Sequence, residues 1–151
     1  MSVRANIVLP HLSDYGFYAK PWLENKDALE FGGKVQLKSS GSSQPVGQLS
    51  GGNQQKIVFA RAIQGNPKLL LLDEPTRGVD IGAKYDIYLL VRELSANGCA
   101  VILTSTDLPE VLGMCDRVLV MQEGRQAHLL ERGEMTSADL LSHFFNNNDA
   151  A

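Results

Sequence analysis

The sequence predicts an α/β fold in which a helical N-terminal piece precedes an open, mostly parallel sheet and a β-hairpin plus helix closes the chain. Three observations lead there. Lys68–Asp73 holds four consecutive leucines, too short a run for an ordinary helix and suited to a strand covered on both faces. Ala100–Ser105 is a second apolar run of the same kind. Between them Ala83, Ile87, Leu90, Val91 and Leu94 fall on one helical stripe, so strand and helix alternate.

The remaining elements follow in chain order. Residues 2–31 read as helical: Val3, Ile7 and Val8 share a face, and Trp22, Leu23, Ala28 and Leu29 mark a second amphipathic piece. Lys38–Gln48 is rich in Ser, Gly and Pro and reads as a loop. A helix capped by Ser50 runs on to near Gly65. Asp80 suits the N-cap of the 83–94 helix, and Asn97-Gly98 supplies its stop. Arg117–Gln122 and Arg125–Leu130 flank Glu123-Gly124 as a hairpin, a weaker turn pair than Asn-Gly. Thr136 with Asp139 starts a last helix, Ser137–Phe145, before a tail. The expected organisation is a partial helical subdomain and loop over 1–48, an α/β core over 49–145 and a tail over 146–151. No internal repeat is present.

Composition sets outer bounds. A chain of 151 residues fits one domain, or one domain with a small appendage. A net charge of −3 argues against nucleic-acid binding, which calls for a basic face. Cys99 and Cys115 match no metal-ligand spacing and are too few for a disulfide framework. His11, His128 and His143 have no ligand spacing either. No secretory signal is evident, and no apolar run is long enough to cross a bilayer.

Two constellations carry chemistry. Leu49-Ser50-Gly51-Gly52-Asn53-Gln54-Gln55-Lys56 leads directly into a helix, whose free N–H groups and dipole favour an anion. A capped helix after a glycine turn is the ordinary reading, and Ser-Gly-Gly alone would not displace it. Leu69-Leu70-Leu71-Leu72-Asp73-Glu74-Pro75-Thr76 puts two carboxylates at the end of a strand, where open α/β sheets bind ligands. An Asp there can hold Mg²⁺, and an adjacent Glu can orient or deprotonate a water.

Together, at this spacing, the two segments resemble the signature and Walker B motifs of ATP-binding-cassette ATPases, a branch of the P-loop NTPases. Arg77-Gly78-Val79-Asp80 resembles the D-loop, and Thr104-Ser105-Thr106-Asp107 stands where the switch region falls. The wording is similar to the second cassette of the ATPase subunits of ribose, galactose and arabinose importers, from about Ser39 through Leu141. Met1–Asn6 resembles the start of the helical subdomain more weakly.

The resemblance implies ATP and Mg²⁺ as cofactors, with Glu74 as catalytic carboxylate and Asp73 as metal partner. Ser50, Gly51 and Gly52 would complete the γ-phosphate shell of ATP held by a partner cassette, Leu49, Asn53, Gln54 and Thr106 would also belong to the nucleotide-binding set, and Asp80 would couple the two sites. The implied partners are that cassette, either another half of the same parent or a second copy, and an integral-membrane sugar permease. The implied location is the cytoplasm, peripheral to the inner face of the plasma membrane.

Two departures limit this. No Gly-x-x-x-x-Gly-Lys-Ser/Thr phosphate cradle occurs; Gly32-Gly33-Lys34-Val35 has Ala28 and Val35 where the first Gly and the hydroxyl should stand, and reads as an ordinary turn. The chain is expected to begin after the family's Q-loop. Thr106 stands at the switch-histidine position, and a threonine cannot become an imidazolium. In a complete protein this implies asymmetry, with the site built around Glu74 slow or structural. Asn53 takes a position where Gln is commoner, as the sugar-importer wording already does.

For the chain by itself the expectation is negligible ATP turnover. A leucine-rich strand without its neighbours invites self-association. The alternative function is a catalytically silent module that pairs with another cassette or a permease. A relative from DNA repair or chromosome organisation would show coiled-coil heptads or a basic surface, and neither is present.

Overall fold

The computed structural model describes residues 1–15 and 21–134, together with Thr136, Ala138 and Leu140. It forms two compact units, Met1–Ile102 and Leu103–Ala151.

In the first unit, α1 (Val3–Val8) is capped by Ser2, whose hydroxyl accepts the Ala5 N–H. The next donors go to the serine-rich loop: Val3 N–H to the Gln44 carbonyl and Arg4 N–H to that of Ser42, both at 2.8 Å. Val3, Ile7 and Val8 are buried together, as their spacing predicts. Against α1 packs α2 (Pro21–Lys34). It buries Ala28 and Gly32, whereas Trp22 and Leu29 lie on its exposed face. That corrects the expected amphipathic set at Trp22 and Leu29, while Ala28 is buried as expected; a Cβ on Gly32 would meet Leu37 Cδ2 at 3.6 Å and Ile7 Cδ1 at 3.9 Å. Gly32, Gly33 and Lys34 are the last turn of α2 rather than a separate turn, and the chain reverses only at Gln36, with φ +51°.

Next come α3 (Gly51–Ala62) and β1 (Leu69–Asp73), then α4 (Ile81–Ala96) and β2 (Ala100–Thr104). The β1–α4–β2 connection is long enough for a crossover, and the two strands pair as a two-stranded sheet. The expected Asp80 cap is present: its Oδ1 accepts the Ala83 N–H at 2.9 Å. Ile87, Leu90 and Val91 are the buried stripe of α4, which ends at Asn97 with Gly98 at φ +90°. β1 departs from the expected two-faced burial. Leu70 is buried, but Leu69 and Leu71 are 51% and 67% exposed, as is much of Ile102 on β2. Among the described residues no layer covers that face.

One polar contact ties these helices together. Lys56 on α3 is only 3% exposed, and its ammonium lies 2.7 Å from Asp86 Oδ2 on α4 and 3.2 Å from the Gln36 carbonyl.

In the second unit, α5 (Leu108–Met114) precedes β3 (Arg117–Gln122) and β4 (Arg125–Glu131), an antiparallel hairpin. Glu123 and Gly124 both take positive φ, +49° and +75°, the geometry of a turn that follows strand twist. A bulge after Val120 leaves Ala127 without an opposing residue. Asp107 occupies the N-cap of α5 without a side-chain cap bond; Ser105 instead accepts the Asp107 N–H and donates to the buried Glu110 carboxylate. The expected helix Ser137–Phe145 and the 146–151 tail fall largely outside the described residues; Ala138 and Leu140 are helical, and Leu140 is buried.

Two predictions follow from this packing. Asp86→Ala strands the Lys56 ammonium and should destabilise the chain by about 3 kcal/mol. Lys56→Met leaves Asp86 able to reach water and should cost roughly 1 kcal/mol, so urea midpoints should fall in that order. Burial pushes the Cys115 thiol above its ordinary pKa, and Asp116 and Glu110 push it the same way against Arg132. Less thiolate is then present near neutrality, so iodoacetamide at pH 8 should label Cys115 several-fold more slowly in the native chain than in urea.

Candidate functional site

A cleft of about 300 Å³ in the first unit brings together Ser50, Gly52 and Asn53 from the start of α3 with Asp80, Gly82 and Ala83 from the start of α4. Lys38, Lys56 and Asp86 complete its lining. The side chains have local causes. Ser50 has extended backbone angles and caps α3, with its Oγ accepting from the Asn53 N–H at 3.4 Å and from Asn53 Nδ2 at 2.9 Å. Asn53 Oδ1 in turn accepts the Lys38 N–H at 2.9 Å. Gln54 Nε2 donates to the Leu49 carbonyl at 2.9 Å, and Leu49 itself is buried, so this pair braces the entry to the helix.

Gly52 is where α3 touches α4. A Cβ on it would lie 2.4 Å from Ala83 Cβ and 3.6 Å from Asp80 Oδ2. A Cβ on Gly51 would stand 3.5 Å from the Gly78 carbonyl, and Gly78 itself has φ +71°. The glycines therefore let the head of α3 lie on the turn 74–80. The first turn of α3 carries no acidic side chain, leaving the dipole there unopposed by its own helix.

The carboxylates stand apart from this cleft. Asp73 is the last residue of β1 and is exposed; Glu74 follows it, half-buried, with φ +45°. The Arg77 N–H closes the turn onto the Glu74 carbonyl at 3.1 Å. Thr106 belongs to the second unit, between β2 and α5. Sequence reasoning missed Lys38, Lys56 and Asp86. For Lys56 a signal existed, since it shares the spacing of buried Gly52, Phe59, Ala60 and Ile63 along α3.

This geometry is accompanied by clear kinship. The family model described as ABC transporter matches residues 2–77, and the chain belongs to that family as part of its ATPase domain. Within it, the chain is homologous to the ATP-binding proteins of sugar importers. It is 46% identical over 152 residues to the ribose import ATP-binding protein RbsA of Halalkalibacterium halodurans, with 98% of this chain and 30% of that protein covered. It is 44% identical over 143 residues to the xylose import ATP-binding protein XylG of Moorella thermoacetica, with 94% and 28% covered. The chain thus spans less than a third of the length of these relatives. Among solved structures, a dimeric ATP-binding cassette in a post-hydrolysis state bound to ADP and Pi matches with TM-score 0.74 and 25% identity, over 87% of this chain and 57% of that one. An inward-facing putative metal-chelate type ABC transporter matches in fold, with TM-score 0.80 at 24% identity, over 97% and 58%.

The close contact at Gly52 is testable. Gly52→Ala should destabilise the chain by about 1–3 kcal/mol through overpacking. Adding Ala83→Gly should return part of that loss despite its own helix penalty, so the double variant should melt above Gly52→Ala alone.

Proposed function

We propose that this chain supplies the signature, D-loop and Walker B elements of a sugar-importing ABC transporter, in which ATP binding and hydrolysis drive transport. The observation that carries this reading is the head of α3. A capping hydroxyl and two positions without side chains, at the start of a helix with no acidic residue in its own first turn, border one cleft with Asp80.

The residues present fit the cofactors in two places. Ser50, Gly51 and Gly52 suit a phosphate presented by a partner cassette, with Leu49, Asn53 and Gln54 shaping that surface. Asp73 and Glu74 offer two adjacent carboxylates, and no group of three His, Cys, Asp or Glu residues able to hold a metal occurs among the described residues. Such a set suits Mg²⁺ that keeps waters and phosphate oxygens as its other ligands. MgATP supplies the transferable phosphoryl group and the metal charge that screens it. Asp73 is the metal partner, Glu74 orients the attacking water, and Asp80 couples the two sites across the interface.

The helical segment 1–48, the core 49–145 and the 146–151 tail are the functional divisions in this reading. Thr106 has no imidazolium to offer, so in a full assembly the site containing Glu74 turns over slowly. The site completed by Ser50–Gly52 is the hydrolytic one. The partners are a second cassette and an integral-membrane sugar permease, not nucleic acid. Among the described residues no helix is long and apolar enough to cross a membrane, so membrane attachment in this reading comes through the permease, on the cytoplasmic face.

The test is steady-state hydrolysis of MgATP by the purified chain beside Glu74→Gln, followed by titration with a partner. No difference between the two is expected, because no phosphate cradle occurs in this sequence. The chain should instead associate with the N-terminal cassette of the Halalkalibacterium ribose importer when MgAMP-PNP is added. Ser50→Ala should weaken that association roughly 10- to 100-fold, the worth of one hydrogen bond to a charged group. Association that ignores both nucleotide and Ser50 would favour the silent interaction module.

A further inference from the structure

Asn53 does not behave as the third residue of a capping box usually does. There the side chain reaches back to the N-cap backbone N–H. Here its amide bridges two other groups, the Lys38 N–H and the Ser50 hydroxyl. The direction of that bridge is set by chemistry. A backbone N–H can only donate, so the amide oxygen of Asn53 must face Lys38, and its NH₂ must face Ser50.

The consequence falls on Ser50. A hydroxyl has two lone pairs and one proton. Both acceptor directions of Ser50 Oγ are engaged by Asn53, one by Nδ2 at 2.9 Å and one by the backbone N–H at 3.4 Å. Its own proton makes no hydrogen bond among the described residues. The Asp80 carboxylate, which lines the same cleft, accepts the Ala83 N–H through Oδ1 and makes no hydrogen bond to Ser50. The Ser50 proton is thus left for an acceptor outside the chain.

We propose that Asn53 is a positioning residue that locks the Ser50 hydroxyl as a donor to an incoming phosphate oxygen, with Lys38 holding the amide in the required sense. This rests on the reading of Ser50 as a phosphate ligand given above. It adds a link from the loop after α2 to the polarity of the site.

An isosteric change separates positioning from packing. In Asn53→Asp, one carboxylate oxygen can still accept the Lys38 N–H. The other faces Ser50 and can only accept, so the hydroxyl proton turns inward. The added negative charge would also repel phosphate, and a double-mutant cycle with Ser50→Ala removes that contribution.

The experiment measures association of the full chain with the Halalkalibacterium N-terminal cassette in MgAMP-PNP, for wild type, Asn53→Asp, Ser50→Ala and the double variant. Asn53→Asp should weaken association roughly 10- to 100-fold with Ser50 present and clearly less in the Ser50→Ala background. An equal effect in both backgrounds would mean charge repulsion alone and would overturn the proposal. Slow solvent exchange of the Lys38 amide proton, retained in Asn53→Asp, checks that the loop remains anchored. The Asn53 side-chain NH₂ signals report the arrangement without any nucleotide. They should shift in Ser50→Ala, and their indifference to that change would overturn it. Should wild type show no nucleotide-dependent association, the reading of function falls, and these NH₂ signals alone decide whether Asn53 holds Ser50.

Discussion

A lysine ammonium withdrawn from water needs a counter-charge, and the first unit is arranged around that requirement. Lys56 lies on the same side of α3 as Phe59, Ala60 and Ile63, where an unpaired cation would cost several kcal/mol. Asp86 on α4 neutralises it, and the Gln36 carbonyl takes a further hydrogen bond. Three segments are fixed by one side chain: α3, α4 and the reversal after α2. The gain in net stability from such a pair is small, but the geometry it permits is narrow. A displaced α3 would strand the charge.

That restriction explains why the cleft is small and polar. With Lys56 pinning α3 to α4 one turn further on, the head of α3 must pass α4 at Gly52, where no Cβ fits beside Ala83. The loop at Lys38 is then close enough to reach Asn53, and the turn at Gly78 close enough to meet Gly51. The contacts that shape the candidate phosphate surface are thus by-products of an ion pair placed beneath it.

Much of this was legible in the sequence where the cause is local. Ser50 and Asp80 cap the helices they precede, Asn97-Gly98 stops α4, and Glu123-Gly124 turns the hairpin, because each depends on hydrogen bonds within a few residues. Burial was harder wherever it depended on a distant neighbour. Trp22 and Leu29 carry large apolar side chains of α2, yet the helix turns Ala28 and Gly32 inward, where Gly32 lies against Leu37 and Ile7. The leucines of β1 suggested a strand covered twice, whereas its partner strand leaves Leu69 and Leu71 on an open face. The site motifs were legible as a resemblance. The pairing of Asn53 with Lys38 was not, because residues fifteen apart across a loop leave no periodic mark.

The carboxylate turn shows the same tension between local preference and placement. Glu74 takes φ +45°, a region costly for a residue with a Cβ, and it does so directly before Pro75, which favours extended backbone in the residue ahead of it. Such strain persists only where surrounding structure over-determines it. The constraints here are visible on both sides. β1 fixes the chain up to Asp73, while Pro75 and Thr76 are buried, and the Arg77 and Val79 N–H groups close the turn onto Glu74 and Thr76. The turn must also deliver Gly78 to the head of α3 and Asp80 to the start of α4 within a few residues of the strand's end. A relaxed, extended Glu74 would lengthen that path and carry Gly78 away from Gly51. The strained backbone at Glu74 and the close approach of Gly78 to Gly51 therefore belong to one short segment, 74–80, which ties the geometry of the carboxylate pair to that of the head of α3.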